Sequence, residues 1–187
     1  MEPLNIFESL VWKGHYTGNL SELQHQSKIL LTTSPRLNTG LERDGGVSSS
    51  SDANYPHNWE ESKDFLNWLR PYSDLVWSRW GYPSVNRMFT NSWANLHPSG
   101  AWTDTHNHGL TKQVIVLYLD QPENGGNLEL QNPLFYHWQG YFQGQPEWIE
   151  VPVQTGDVII FPGWLLHRSQ KNNSDSNRMV MSFNLNG

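Results

Sequence analysis

The chain has 187 residues, enough for one domain with a sizeable core, and no cysteine, which excludes disulfides, thiolate metal sites and a cysteine nucleophile. Lys and Arg number 12 against 18 Asp and Glu, a net charge of -6 with no basic run, so nucleic acid is not the expected partner. With 10 Trp, 7 Tyr and 7 Phe but only 16% charged residues, a packed β-rich domain is expected; no long apolar run or basic leader marks a membrane span or signal peptide, and the expected setting is soluble and cytoplasmic.

Leu4, Ile6, Phe7, Leu10, Val11 and Trp12 predict a first strand, and Asn19 with Glu22 three residues on predicts a capped helix running to about Leu31. Residues 32–57, broken by Ser34-Pro35, Asn38-Thr39-Gly40, Asp44-Gly45-Gly46 and the run Ser48 to Ser51, read as a long surface loop of the kind that often serves as a lid. Asn58 and Glu61 form a second capping box. The helix it opens carries Phe65, Leu69, Tyr72 and Val76 on one face; Pro71 is expected to kink or split it, and Gly81 with Pro83 to end it.

After Pro83 the pattern turns to β. Strands are predicted within Val85–Leu96 and over Ala101–Thr105, Lys112–Leu119, Asn127–Leu130, Val158–Phe161 and Arg178–Asn184, separated by turn residues such as His97-Pro98-Ser99-Gly100 and Asn124-Gly125-Gly126. The near-continuous apolar run at 112–119 reads as a buried central strand. Residues 131–149 form a Pro-, Gly- and aromatic-rich excursion that is a second candidate gate. Helices first and strands later, with turn signals throughout, fit a mostly β sandwich or jelly roll with N-terminal helices. His97 and His137 read as structural or exposed, and Asp157 as a turn residue bonding local backbone.

The strongest chemical signal is Asp104-Thr105-His106-Asn107-His108. In an extended chain alternate side chains share a face, so Asp104, His106 and His108 would present three metal-capable groups to one side. His167, following Phe161-Pro162-Gly163-Trp164, is a candidate distant ligand, and Arg178 comes shortly after it. A turn at 172–177 is expected to lay the strand from Arg178 antiparallel beside the one ending near His167. Iron(II) oxygenase centres use two imidazoles and a carboxylate and leave other positions open. A fixed guanidinium nearby suits bidentate binding of a carboxylate.

On these residues the chain resembles the iron(II)- and 2-oxoglutarate-dependent oxygenases, in particular small stand-alone oxygenases related to prolyl hydroxylases. The resemblance runs from about Met88 to Asn184. It rests on Asn91-Ser92-Trp93-Ala94-Asn95, Gly100 leading to His106-Asn107-His108, Val116-Leu117-Tyr118-Leu119, Asn124-Gly125-Gly126-Asn127-Leu128, Gly156 to His167, Arg178 and Ser182-Phe183-Asn184. It implies a double-stranded β-helix (a cupin-like jelly roll) backed by helices, in a single domain, 1–187, whose residues 1–84 support a core at 85–187. It also implies Fe(II) and 2-oxoglutarate as cofactors, His106 and His167 as metal ligands, Arg178 as the 2-oxoglutarate carboxylate anchor and Tyr118 as its hydrogen-bonding neighbour. The implied activity is hydroxylation of a peptidyl residue or small molecule, with succinate and carbon dioxide as coproducts.

The family motif is His-x-Asp or His-x-Glu, whereas this chain has His106-Asn107-His108. Three arrangements are open: His108 replaces the carboxylate, which its place after His106 in the motif favours; Asp104 supplies it from the same strand face, with His108 behind the ligands; or the metal has no third protein ligand. Two other functions fit the same residues. One is a three-histidine cupin-type dioxygenase without 2-oxoglutarate; the other is a non-catalytic jelly roll binding carbohydrate or protein. Tyr118 in an apolar strand also reads as an ordinary core tyrosine.

Overall fold

A strand buried on both faces needs a layer on each side, and the run from Gln113 to Asp120 has both. The computed structural model describes residues 11–34, 41–83, 86–135 and 146–187. Its elements in chain order are β1 (Trp12–His15), α1 (Ser21–Thr33), β2 (Glu42–Arg43), β3 (Val47–Ser48), α2 (Lys63–Arg79), β4 (Met88–His97), β5 (Trp102–Thr103), β6 (Gln113–Asp120), β7 (Leu128–Gln131), β8 (Trp148–Val151), β9 (Asp157–Pro162), β10 (His167–Ser169) and β11 (Arg178–Asn186). Six strands form one antiparallel sheet in the order β1-β9-β6-β11-β4-β3. Smaller sheets are formed by β10-β7-β8 and by β2-β5. The molecule is thus mostly β with few helices, and among the described residues no helix is long and apolar enough to cross a membrane.

Strand alternation divides the apolar residues between two cores. Ile115, Leu117 and Leu119 of β6, with Met179, Met181 and Phe183 of β11, pack with Leu23 and Leu31 of α1 and Phe65, Leu69 and Val76 of α2. The opposite face of the same strands presents Val114, Val116, Tyr118 and Val180, which pack with Leu128 and Leu130 of β7 and with Leu165. Burying each such side chain contributes about 1.5–3 kcal/mol. A buried polar pair pins α2 to the sheet: Ser73 Oγ donates to Gln113 Oε1, and Gln113 Nε2 donates back to the Ser73 carbonyl. On β11 the same alternation turns Arg178, Val180, Ser182 and Asn184 toward the second core and the cavity beside it.

Several expectations are revised. The predicted first strand lies largely outside the described residues, and the observed β1 begins only at Trp12. In α1, Asn19 Oδ1 accepts the Ser21 N–H, but Leu20 is the capping position and no capping box forms. The second helix starts at Lys63, after two short 3-10 turns, because Ser62 Oγ is drawn back to the Pro56 carbonyl. It runs unbroken through Pro71, its core face held by Leu69, Ser73 and Val76, and Tyr72 is exposed rather than buried. Residues 41–57 are not a free excursion: β2 pairs with β5 and β3 with β4, burying Ser48 and Ser49. Residues 136–145, which include His137 and most of the aromatic excursion, lie outside the described residues. Trp148 beyond them joins β8, its ring 4.1 Å from the Arg168 guanidinium.

The turn at 172–177 does not return the chain beside the strand of His167. β10 pairs with β7 in the small sheet, whereas β11 crosses to the large sheet between β4 and β6. The sheets face one another across the cavity, which is how residues near in sequence come to line opposite walls.

Candidate active site

The cavity has a volume of about 270 Å³. At one end stand His106, His108 and His167. Each has a ring nitrogen within 4.8 Å of those of the other two. His106 and His167 are joined by an isolated antiparallel bridge, the N–H of His106 donating to the His167 carbonyl at 3.0 Å and the N–H of His167 to the His106 carbonyl at 2.9 Å. His108 is set by a third backbone bond, to the Gly163 carbonyl at 2.8 Å. Gly163 is needed there, since a Cβ on it would lie 2.1 Å from the Thr111 carbonyl oxygen.

All three rings are oriented through Nδ1. His106 Nδ1 lies 2.7 Å from the Asp104 carbonyl, His167 Nδ1 2.9 Å from the Leu165 carbonyl and His108 Nδ1 2.6 Å from Asn184 Oδ1. Each acceptor requires a proton on Nδ1, which leaves the lone pair on Nε2. Burial, helped by the neighbouring rings, keeps His167 neutral far below the usual imidazole range and moves His108 down to about 4, against the opposing hydrogen bond to Asn184. For His106 burial also wins, over the Asp104 carbonyl and the charges of Glu42 and Asp104. Three neutral imidazoles, each with Nε2 free, fit a divalent first-row cation.

Asp104 stands apart. Strand β5 ends at Thr103 and the chain bends at Thr105, so the period-two pattern that would align Asp104 with His106 stops short. Its carboxylate faces Arg43, with Oδ2 accepting from Nη2 at 2.7 Å and Nε at 3.1 Å, while Oδ1 accepts the Thr105 N–H. The Arg43 bond, then that backbone bond, lowers its pKa despite some burial.

At the other end of the cavity Arg178 is almost wholly buried. Nη1 donates to the carbonyls of Gly125 at 2.6 Å, Gly126 at 3.3 Å and Gln170 at 3.0 Å, and Nη2 donates to Ser169 Oγ at 2.8 Å. Gly126 has φ of +78°, and a Cβ there would lie 3.0 Å from Arg178 Nη1 and 2.4 Å from the Lys171 carbonyl oxygen. No carboxylate among the described residues ion-pairs with Arg178. A guanidinium held only by dipoles and withdrawn from water favours an anion beside it. Tyr118, one strand away, has its hydroxyl pushed up to about 12 by burial, against the opposing influence of Arg178, and that hydroxyl makes no hydrogen bond with a described residue.

Sequence reasoning missed part of this end. His97, expected from the sequence to be structural or exposed, is buried against the cavity: its Nε2 pairs with Thr103 Oγ1 at 2.7 Å, and burial together with Arg178 lowers its pKa to about 3. Gly125 and Gly126 read in sequence as a turn within one of the stretches that carry the resemblance, with nothing to indicate that their carbonyls hold an arginine from β11. Asn95 lines the cavity with a buried Oδ1 that has no hydrogen-bond partner among the described residues. Asp157 bonds the local Gln154 N–H as expected, and also Lys13 and His15 of β1.

With fold and site in view, the chain can be set beside known proteins. No curated protein sequence matches it. Among solved structures it is similar to a prolyl-4-hydroxylase from Pseudomonas putida, at 14% identity and a TM-score of 0.65, covering 95% of this chain and 92% of that one. It is also similar to a viral collagen prolyl hydroxylase from Paramecium Bursaria Chlorella virus-1, solved as a 2OG complex (14% identity, TM-score 0.63, 94% of each chain). A third is SnoN, a non-heme alpha ketoglutarate dependent epimerase from nogalamycin biosynthesis (16% identity, TM-score 0.66, 95% of this chain and 78% of that one). At these identities the likeness is one of fold. Residues 91–184, just over half of the chain, match the family described as "Putative 2OG-Fe(II) oxygenase". The chain belongs to the 2OG-Fe(II) oxygenase family.

Proposed function

We propose that the protein is an iron(II)- and 2-oxoglutarate-dependent dioxygenase that hydroxylates a C–H bond of a peptidyl residue or small molecule, built on a double-stranded β-helix formed by its facing sheets. The observation that carries this reading is the pairing, across one cavity, of three convergent Nε2 lone pairs with a buried arginine that has no counter-carboxylate among the described residues. His106, His108 and His167 would hold the metal, with His108 in the place of the usual carboxylate. Arg178 would take the far carboxylate of 2-oxoglutarate through its remaining donor capacity, with the Tyr118 hydroxyl donating to the same group. Val116, Leu128 and Val180 supply apolar walls that limit water around a bound cosubstrate. Leu41 and Ser50, from the segment paired to β4 and β5, close another side and are candidates to meet the substrate.

When bound, iron(II) and 2-oxoglutarate supply the oxidising chemistry, in which dioxygen and 2-oxoglutarate are consumed and succinate, carbon dioxide and hydroxylated substrate are formed. The chain's own residues bind, orient and keep their imidazoles unprotonated. The arrangement is tested anaerobically with purified protein, Fe(II) and 2-oxoglutarate. A visible metal-to-ligand charge-transfer band and saturable calorimetric binding are expected. Metal binding without any response to 2-oxoglutarate would favour the three-histidine enzyme that does not use it. Absence of stoichiometric metal would favour the non-catalytic binding module.

A further inference from the structure

Two of the three histidines are oriented by their own chain. His106 and His167 each direct Nδ1 at the carbonyl two residues earlier, that of Asp104 and of Leu165. His108 is oriented differently: the carbonyl two residues before it, that of His106, accepts the His167 N–H, and its Nδ1 is directed elsewhere. Its ring is met instead by a side chain from the opposite sheet, Asn184 of β11.

Asn184 is placed by the alternation of β11, which also turns Arg178, Val180 and Ser182 to the cavity. The irregularity beside it lies in the neighbouring strand: Asn184 stands opposite Asn91 and Leu185 opposite Phe89, so the extra residue of the bulge is Thr90 of β4, while the pairing of β11 with β6 continues from Val114 to Gln113 without a break. Asn184 is 7% exposed, and its Oδ1 lies 2.6 Å from His108 Nδ1. The Trp93 ring, 5.5 Å from that of His108, stands beside the same imidazole.

We infer that Asn184 is a positioning residue for the metal centre: its side-chain carbonyl accepts the Nδ1 proton of His108 and so presents Nε2 of that ring, rather than an N–H, toward Nε2 of His106 and His167. The inference rests on the three-histidine reading of the site. It also explains how a histidine serves where a carboxylate is usual. A carboxylate has lone pairs on both oxygens, whereas an imidazole must be fixed in one tautomer and one orientation.

The test uses the full chain loaded with Cu(II), with pulsed electron paramagnetic resonance counting the coordinated imidazoles, and Co(II) titration giving affinity. The wild type is expected to show three imidazoles. Asn184→Leu, close in size but without an acceptor, is expected to show two and to bind Co(II) about ten- to a hundredfold more weakly. Asn184→Asp, which can only accept, is expected to restore three imidazoles and wild-type affinity or better. If Asn184→Leu does not fold, Asn184→Ala carries the same readouts. Three imidazoles and unchanged affinity in the folded Leu or Ala variant overturn the role of Asn184 alone. Fewer than three in the wild type overturns the three-histidine centre itself.

Discussion

His106 and His167, far apart in the chain, exchange both backbone hydrogen bonds, so their imidazoles are fixed relative to one another before any metal arrives. Their ring centroids lie 4.2 Å apart, and that of His108 lies 5.0 Å from His167. Replacing any of the three by Ala is expected to abolish stoichiometric iron, whereas Asp104→Ala, whose carboxylate is engaged by Arg43, should retain it. Elemental analysis of the four variants after anaerobic loading checks this. Loss of iron in Asp104→Ala with retention in His108→Ala would reverse the assignment of the third ligand.

Arg178 is expected to separate cosubstrate from metal binding. Removing one charge-assisted hydrogen-bonding partner costs about 1.5–3 kcal/mol, so Arg178→Ala should bind 2-oxoglutarate roughly tenfold to a hundredfold more weakly and leave metal affinity intact. Lysine should not rescue it, because a single ammonium cannot bond the Gly125 and Gln170 carbonyls and Ser169 in the same fork geometry. Calorimetry on protein loaded with Mn(II) reads both quantities; unchanged 2-oxoglutarate affinity would move the anchor elsewhere.

Gly163 gives a prediction that links packing to chemistry. A methyl group there collides with the Thr111 backbone and must displace the turn that begins at His108. Gly163→Ala is expected to destabilise the fold by about 1–3 kcal/mol and also to weaken metal binding, since the His108 N–H bonds to the Gly163 carbonyl. Urea unfolding and Co(II) titration on the same preparation would show the two losses together. Unaltered metal affinity in a destabilised variant would uncouple them.

The acid limb of stability should depend on Asp157. Burial alone would raise its carboxyl, but hydrogen bonds from Lys13, His15 and the Gln154 N–H together hold it below the ordinary carboxylate range. A pKa lower in the folded than in the unfolded state means that the unfolded chain binds more protons in that window. The stabilisation is therefore complete above the unfolded value, about 3.9, and disappears as pH falls through the folded one. Lys13 is largely exposed, so screening limits the contribution of that pair to under about 1 kcal/mol. Asp157→Asn should lower the urea midpoint at pH 7 and flatten its decline below pH of about 4; an unchanged acid limb would contradict this.

Local chemistry in the sequence determined the long central strands, the presence of two helices and the identity of the chemical groups. The buried run at 113–120, the alternation along β11 and the paired histidines at 106 and 108 all act through neighbours in the chain, and periodicity records such neighbours. Long-range placement had no such record. That β11 leaves β10 for the large sheet depends on which sheet edge is free to pair, and the cage of Gly125, Gly126 and Gln170 carbonyls around Arg178 follows from that crossing. In sequence His108 stands where the family motif has its second ligand, with Asp104 on the same strand face as the alternative. Tertiary structure distinguished them physically: a short β5 and a bend turned Asp104 out to Arg43, while the crossing of β11 to the large sheet brought an acceptor to His108.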